Sequence, residues 1–534
     1  MTPAAKQSDL PTFDGLAPDY GLVQLESLLS GHRRLDAEVY LSGGFKVREA
    51  ILREYAGSVA LGTLAEVTQP DRLKGVRVAP EHGVPYLLPT QAFDIWPSPR
   101  KWLAPSKIPN ICDYYVEPGW ILVTRSGSVG QPIIAYAPHI DRIISDDLLR
   151  VKIRDIAIRG YLYTFLLTHQ GRAMMLASHY GNVIKHLEAE HLIDLPVPVI
   201  PELVEEIGAA ILAVSSARDE AYRLDMGARE LFEKSLGIPP SASGASFSTS
   251  STELNRGGRR LDASAHNPLA RSIGELYRER ARAVVRVGSV ARAFVPNRFK
   301  RIFGEAGTPY LDSEPIFKIN PGISKVLTPA TPIKPEDYFV EAGWLLIACS
   351  GQIYGLNGQA ILATRWHEGK VVTQHIMRLV PDTGKVQAGY LEVALTHPTL
   401  GQPLILSRAH GTSVPELDPE DIEGLPLPRL ASDIESEIAT MAERASELRM
   451  EADEKENGAV ERLERELERR IGSPARKPPK IRPDVAETAY RVMLEATGQA
   501  PKTAPPNERE ATDKNTEAVR RGKKGGRPRR KSGS

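Results

Sequence analysis

Arg33-Arg34-Leu35-Asp36-Ala37 returns as Arg259-Arg260-Leu261-Asp262-Ala263, and from this word outward the chain repeats itself in order. Pro85-Tyr86-Leu87 returns as Pro309-Tyr310-Leu311. Asp113-Tyr114-Tyr115-Val116-Glu117 with Gly119-Trp120 returns as Asp337-Tyr338-Phe339-Val340-Glu341 with Gly343-Trp344. Gly130-Gln131 pairs with Gly358-Gln359, Gly160-Tyr161-Leu162 with Gly389-Tyr390-Leu391, and Leu195-Pro196-Val197-Pro198 with Leu425-Pro426-Leu427-Pro428. Single short words coincide by chance, but an ordered set across both halves does not. Such a repeat fixes domain boundaries before any element is assigned.

The chain accordingly divides into an N-terminal segment (1–32), a first unit (33–200), a helix (201–236), a linker (237–258), a second unit (259–430), a second helix (431–472) and an extension (473–534). The linker, GIPPSASGASFSTSSTELNRGG, carries too few apolar residues to pack. A length of 534 residues agrees with this division, since it exceeds what one core usually organises.

Within each unit, Trp120-Ile121-Leu122-Val123-Thr124 and Trp344-Leu345-Leu346-Ile347-Ala348 are short apolar runs next to glycine, the pattern of buried strands. Pro132-Ile133-Ile134-Ala135-Tyr136 and Ala360-Ile361-Leu362-Ala363 read as the strands that follow. The stretch 160–175 reads as a helix, and each Leu-Pro-x-Pro word as an extended closure.

Each closure precedes a heptad-spaced seam. In the first helix it is Leu203, Ile207, Ala210, Val214, Ala217, Ala221, Leu224, Ala228 and Leu231; in the second it is Ile434, Ile438, Met441, Ala445, Leu448 and Ala452. Lys455 then takes a core position and Gly458 follows, so a kink or break is expected there. One such seam reads as a helix packed on its own domain. Two matching seams predict an antiparallel pair that holds the units apart, the first seam being about 43 Å long at 1.5 Å per residue. The expected fold class is α+β: two tandem α/β domains, each followed by a long helix, the helices pairing as an antiparallel coiled coil.

A hydrophobic fraction of 41% and a charged fraction of 25% suit an ordinary folded chain. Cys112 and Cys349 are the only cysteines, which excludes a disulfide framework and a four-cysteine zinc site and suits a reducing cytoplasm. No stretch has the apolar length of a membrane span or the pattern of a secretion signal, so a cytoplasmic location without membrane contact is expected. A net charge of +1 gives no global argument for nucleic-acid binding, and any such case rests on local charge.

The words RRLDAEVY, GWILVTRSGSVGQ, ISDDLLRV, GYLYTFLLTHQGR and KHLEAEHLIDLPVPVIP, with the helix after them, resemble the DNA-specificity subunit of type I restriction-modification enzymes, or its equivalent in related methylation-linked phage-defence systems. The resemblance covers roughly 33–471, in both halves. It implies two target-recognition domains that each read one half of a split, asymmetric double-stranded DNA site. It also implies a noncatalytic chain that docks two DNA methyltransferase subunits and leaves room for a motor-nuclease subunit. No cofactor is expected here; S-adenosylmethionine, ATP and Mg²⁺ belong to the partners. Two other classes stay open: a standalone DNA-modifying or DNA-cutting enzyme with a divergent site, and a noncatalytic scaffold joining defence proteins.

Under that resemblance the candidate DNA contacts of the first half are Arg125, Ser126, Ser128 and Gln131, around a glycine turn between two strands, where short side chains let backbone amides approach a phosphate. The glycines suit a plain tight hairpin equally well. The second half offers Ser350, Gln352, Tyr354, Asn357 and Gln359 in a longer turn, so different base preferences follow. Lys185, at a loop-to-helix entry, is a further candidate, although its counterpart is Pro415. The seam residues for helix pairing and partners are Leu203, Ile207, Val214, Leu224, Leu231, Ile434, Ile438, Met441 and Leu448.

The extension holds one short amphipathic stretch at 481–500 and ends in RRGKKGGRPRRK (520–531), eight basic residues and no acidic one. Gly526-Arg527-Pro528 with Arg529 and Arg530 resembles an AT-hook that enters a narrow minor groove; the alternative is a basic tail held by phosphates alone. Phosphate-loop and Asp/Asn-Pro-Pro-Tyr/Phe/Trp words are missing. His186, Glu188, Glu190 and His191 lack metal-site spacing, Pro70-Asp71-Arg72-Leu73-Lys74 lacks the second carboxylate of a nuclease motif, and the His169 and His397 of the repeated Leu-Thr-His words read as structural.

Overall fold

The computed structural model describes residues 40, 42–178, 186–239, 247–256, 260–411 and 413–471, all within one compact unit. The N-terminal segment 1–32, Lys185, the stretch 481–500 and Arg527, Arg529 and Arg530 lie outside them.

The first half contributes strands β1 (Ser58–Ala60), β2 (Glu66–Thr68), β3 (Arg77–Val78), β4 (Val84–Leu87), β5 (Lys101–Leu103), β6 (Ile121–Thr124), β7 (Pro132–Ile134), β8 (Ile143–Ile144), β9 (Leu148–Lys152) and β10 (Pro196–Pro198). The second contributes β11 (Ala283–Arg286), β12 (Ala291–Phe294), β13 (Phe303–Gly304), β14 (Thr308–Leu311), β15 (Lys325–Leu327), β16 (Leu345–Ala348), β17 (Ala360–Leu362), β18 (Val371–Val372), β19 (Ile376–Pro381) and β20 (Pro426–Arg429). Their sheets, β1-β10, β2-β9-β6-β7 and β3-β5-β4-β8, recur strand for strand as β11-β20, β12-β19-β16-β17 and β13-β15-β14-β18. Even the one parallel pairing recurs, β4 with β8 and β14 with β18. The apolar runs sit where an unbroken run belongs: β6 and β16 are interior strands with every residue buried.

Helices α1 (Gly43–Glu54), α2 (Ile156–Leu167), α3 (His169–Ser178) and α4 (Pro201–Leu236) belong to the first half; α5 (Pro268–Arg280), α6 (Ala388–Thr396), α7 (Gln402–Leu406) and α8 (Ser432–Ile471) to the second. The single helix expected over 160–175 is two, α2 and α3. Thr168 ends α2, and its Oγ1 accepts from Gly171 N at 3.1 Å. Gly160 lets α2 lie against α4, since a Cβ there would stand 2.8 Å from Gly208 Cα. Gly389 does the same for α6 against α8, 2.4 Å from Ala439 O.

The long helices α4 and α8 run antiparallel. Glu202 faces Arg470 at 3.7 Å and Glu206 faces Arg462 at 3.7 Å near one end, while Gly227 lies beside Met441 near the other. Each helix enters both cores. Leu203, Ile207, Ile211 and Val214 of α4 pack in the first half with Ala452, Ala459, Leu463 and Leu467 of α8. Ala228, Phe232 and Leu236 of α4 pack in the second half with Ile438, Ala439 and Ala442 of α8.

Of the proposed seam, Leu203, Ile207, Val214 and Ile438 are buried, and Leu224, Leu231, Ile434, Met441 and Leu448 are half-buried. The buried stripe also takes in residues one position on, Ile211, Arg218, Asp225 and Phe232 of α4 and Ala442 and Glu456 of α8, beside the seam residues Ala445 and Ala452. The break expected near Lys455 and Gly458 is absent: α8 is one helix of 40 residues. Both residues are exposed, and the stripe position belongs to Glu456, which is neutralised by Arg218.

Candidate nucleic-acid interface

A pseudo-twofold axis crosses the middle of the helix pair. Arg218 Nη1 donates to Glu456 Oε1 at 2.8 Å, and the equivalent residues Arg449 and Asp225 pair in the same way. Arg218 also reaches Asp453 Oδ1 at 2.7 Å, and Tyr163 Oη donates to Glu456 Oε1 at 2.8 Å. Burial works against the charge of Arg218, but Glu456 and Asp453 outweigh it and hold the guanidinium protonated. Burial pushes Asp453 up to about 6, whereas Arg218 holds Glu456 below its ordinary range in spite of burial. A buried charge that loses such partners is strongly destabilising.

Above this layer the halves clasp each other directly. Ile95 N donates to Phe317 O and Ile319 N to Phe93 O, both at 2.9 Å. Between these bonds, Asp94 opposes Lys318 with an ion pair at 2.7 Å. The pairing is reciprocal, because Phe93, Asp94 and Ile95 occupy the repeat positions of Phe317, Lys318 and Ile319. Ile95 packs against the core of the second half and Ile319 against that of the first. Asn320 extends the junction to α8, with its N to Asp453 Oδ2 at 3.0 Å and its Nδ2 to Glu456 Oε2 at 2.6 Å. The units are therefore held at fixed separation by the paired helices and by direct contact.

The glycine turn of the first half closes between β6 and β7. Thr124 Oγ1 donates to Ser128 O and accepts from Gln131 N at 2.8 Å, with Gly127 and Gly130 at φ +71° and +75°. Arg125 is engaged internally: Nη2 and Nε donate to Glu188 at 2.7 and 3.1 Å, and Nη1 stands 3.6 Å from Asp147. Ser126 bridges to His186, Gln131 is half-buried, and Ser128 is exposed. Glu188, whose N donates to His191 Nδ1 at 3.1 Å, thus fastens the turn to the segment of His186, Glu190 and His191.

In the second half, Asn357 is 1% exposed, and its Nδ2 donates to Gly351 O at 3.1 Å and Pro415 O at 2.7 Å. It clamps the turn from within. Gln359 Nε2 donates to Gly355 O at 3.1 Å, Gln352 Nε2 to Ser413 O at 2.8 Å, and Ser350 bridges to Glu416. Tyr354 stands out at 69% exposed, next to exposed Ile353. The five candidates of this half thus share one turn. That turn borders a cavity of about 510 Å³ shared with Asp94, Trp96 and Arg100 of the first half and Arg229 of α4. Trp96 stacks on Arg229 at 4.2 Å.

Sequence reasoning missed two buried arginines at repeat positions. Arg150 donates to Ser145 O and Ile144 O at 2.8 Å each, and Arg378 to Thr373 O at 2.9 Å and Val372 O at 2.7 Å. Burial lowers both to about 10. They tie the link between the two larger sheets of each half and so set the base on which each turn stands. The signal was available, since ISDDLLRV and VTQHIMRL align with arginine at the same place.

His169 and His397 both lie at the end of a helix, in different surroundings. Glu464 lies 2.8 Å from His169 Nδ1 and holds its imidazole above the ordinary range, while burial, with Arg229 nearby, pushes His397 down to about 4. Among the described residues, His410, Asp418 and Asp421 gather ligand atoms, but His410 Nε2 already lies 3.2 Å from Asp418, and Asp421 caps Asp418 N at 3.0 Å. No helix among the described residues is long and apolar enough to cross a membrane.

No family model and no curated protein matches the chain. Solved structures do. The S subunit of the type I restriction-modification system from M. genitalium is 14% identical over 78% of this chain and 96% of that one, at a TM-score of 0.29. The HsdS subunit from Thermoanaerobacter tengcongensis is 13% identical over 79% and 98%, at 0.23. The type IIG restriction endonuclease BpuSI matches only 31% of this chain and 28% of its own, at 12% identity and a TM-score of 0.25. Over 78% of its length, the chain is similar to the S subunit of a type I restriction-modification system.

Proposed function

We propose that the chain is a noncatalytic DNA-recognition subunit that directs partner DNA methyltransferase subunits, two in number, and a motor-nuclease where one is present, to a bipartite asymmetric site. In this reading 33–200 and 259–430 are target-recognition domains, and 201–236 and 431–472 are the spacer between them. The observation that carries it is one fold built twice, with unlike turns, in a single body whose two halves are locked by reciprocal contacts. Two readers at fixed separation select the spacing of two half-sites, while side chains at groove edges select bases. Ser126, Ser128 and Gln131 in one half, and Ser350, Gln352, Tyr354 and Gln359 in the other, are the candidates for that contact. Arg125 and Asn357 shape the turns that present them. Lys185 and the tail arginines Arg527, Arg529 and Arg530 would add phosphate or minor-groove contacts.

The test is methylome sequencing of a host with the intact gene and of one with only this gene deleted. The proposal expects one split, asymmetric motif to lose methylation on deletion. Methylation unchanged at every motif would refute the guiding role and favour the scaffold reading.

A further inference from the structure

We infer that two matched basic loops, 69–76 and 295–302, grip the phosphate backbone of duplex DNA, one beside each half-site; this rests on the DNA-recognition reading and assigns it a surface. Pro70-Asp71-Arg72-Leu73-Lys74 is not an isolated word. Pro296-Asn297-Arg298-Phe299-Lys300 repeats its Pro-x-Arg-apolar-Lys pattern 226 residues later, the separation that also relates Arg33 to Arg259.

The two loops are built alike. Each leaves the edge strand of a four-stranded sheet, β2 or β12, and leads to the edge strand of the next sheet, β3 or β13. Each follows the same alternation: proline half-buried, the next residue exposed, arginine exposed, the apolar residue half-buried, lysine exposed. Leu73 anchors its loop in the small core of Leu103, Ile108, Tyr114 and Ile143. Phe299 anchors the other in the matching core of Tyr310, Leu327, Tyr338 and Val371, and stacks edge-on against Tyr338 at 4.6 Å. Tyr114 Oη also donates to Asp71 O at 3.1 Å, fixing the backbone just before Arg72. An apolar anchor between two outward cations fixes the loop while leaving its charges in solvent.

Those charges are not spent internally. Among the described residues, Arg298 meets a carboxylate only at 3.9 Å, from Glu416, with its side chain 78% exposed, and no ion pair engages Arg72, Lys74 or Lys300. A solvated loop needs neither the duplication nor the anchor. Each loop also lies next to the candidate turn of its own half. Gln69 hydrogen-bonds Arg125 and Glu188 once its amide is oriented to satisfy both. Glu416, the neighbour of Arg298, bridges to Ser350. Unpaired Arg and Lys beside a polar turn are the arrangement in which cations fix register on phosphates and the turn reads bases. The forked arginine and the compact lysine both suit phosphate oxygens.

The experiment measures binding of the full-length chain to a random-sequence DNA duplex across a salt series. The variants are Arg72→Ala/Lys74→Ala, Arg298→Ala/Lys300→Ala, the quadruple combination, and a control, Arg278→Ala/Arg280→Ala, on the exposed end of α5. The basic tail contributes equally to all of them. Each phosphate contact adds about 0.9 to the slope of log affinity against log salt. Each double variant is therefore expected to lower the slope by about 1.8 and the quadruple by about 3.6, with an unchanged melting temperature and an unchanged control. A quadruple variant with the wild-type slope, or a control that falls as far, overturns the loop assignment and leaves the DNA reading standing. A wild-type chain that fails to bind duplex at low salt overturns both.

Discussion

The two halves share every sheet and differ in what holds their turns. In the first, the turn between β6 and β7 is short and is fastened from outside by a forked ion pair, Arg125 to Glu188. In the second, the turn between β16 and β17 is longer, is pinned from inside by Asn357, and carries an exposed tyrosine, Tyr354, near its middle. The framework is thus constrained by burial, and the freedom to differ lies in the turns. Under the proposed function, that division lets two like frameworks present unlike turns.

The comparison breaks most severely at the axis the halves share. Arg218→Ala leaves Glu456 and Asp453 buried beside no cation and is expected to cost about 3–5 kcal/mol in urea unfolding. Arg449→Ala, its pseudo-symmetric partner, releases the single carboxylate Asp225 at the pairing position and is expected to cost less. Equal losses would mean that Asp453 and Asn320 add nothing on the Arg218 side.

The next largest effect tests sameness. Arg150→Met and Arg378→Met each strand carbonyls that the guanidinium satisfied, and each is expected to lose about 2–4 kcal/mol in the same assay. A difference well beyond 1 kcal/mol between them would show that the two frameworks are not energetically alike.

Asn357→Ala and Arg125→Ala then test difference. Each is expected to cost about 1–2 kcal/mol and to weaken methylation through its own half of the motif only. Sequencing of methylated sites from hosts carrying either variant checks this.

The smallest effect is the pH response of the repeated histidines, and its sign is opposite in the two halves. His397 stays neutral when folded, with its pKa near 4 against about 6.5 unfolded. It therefore costs stability as pH falls below about 6.5, increasingly toward 4. His169 is raised by Glu464, so its stabilisation is complete below about 6.5 and is lost as pH rises through the higher folded value. His397→Gln should reduce acid sensitivity, although His139 and His367, also held near 4 by burial, retain part of it. His169→Gln should lower the urea midpoint near pH 6, and by progressively less as pH rises.

The duplication was legible because glycine, proline and tryptophan words survive where backbone geometry and packing require them. The long helices were legible from the Leu-Pro-x-Pro closures before them and from their heptad seams. The interior of the buried stripe was not. Arg218, Asp225 and Glu456 stood outside the apolar seam because charge in a sequence signals solvent, and their pairing with opposite charges permits burial. The clasp of 93–95 with 317–319 was invisible for another reason: three residues carry no periodicity, and their partners lie 224 positions away. Among the candidate contacts, polarity alone did not show which side chains are engaged inside their own turn. Arg125 and Asn357 hold turns together, whereas Pro70-Asp71-Arg72-Leu73-Lys74 was read only as a failed nuclease word and its repeat at 296–300 went unnoticed.

The most direct test of two independent readers in one rigid frame is to exchange residues 33–198 for those of a chain with a different methylation motif, and to sequence the methylome of the host. The account predicts a new motif in which one half is replaced while the other half and the gap between them stay as they were. Replacement of both halves, or of neither, would contradict it.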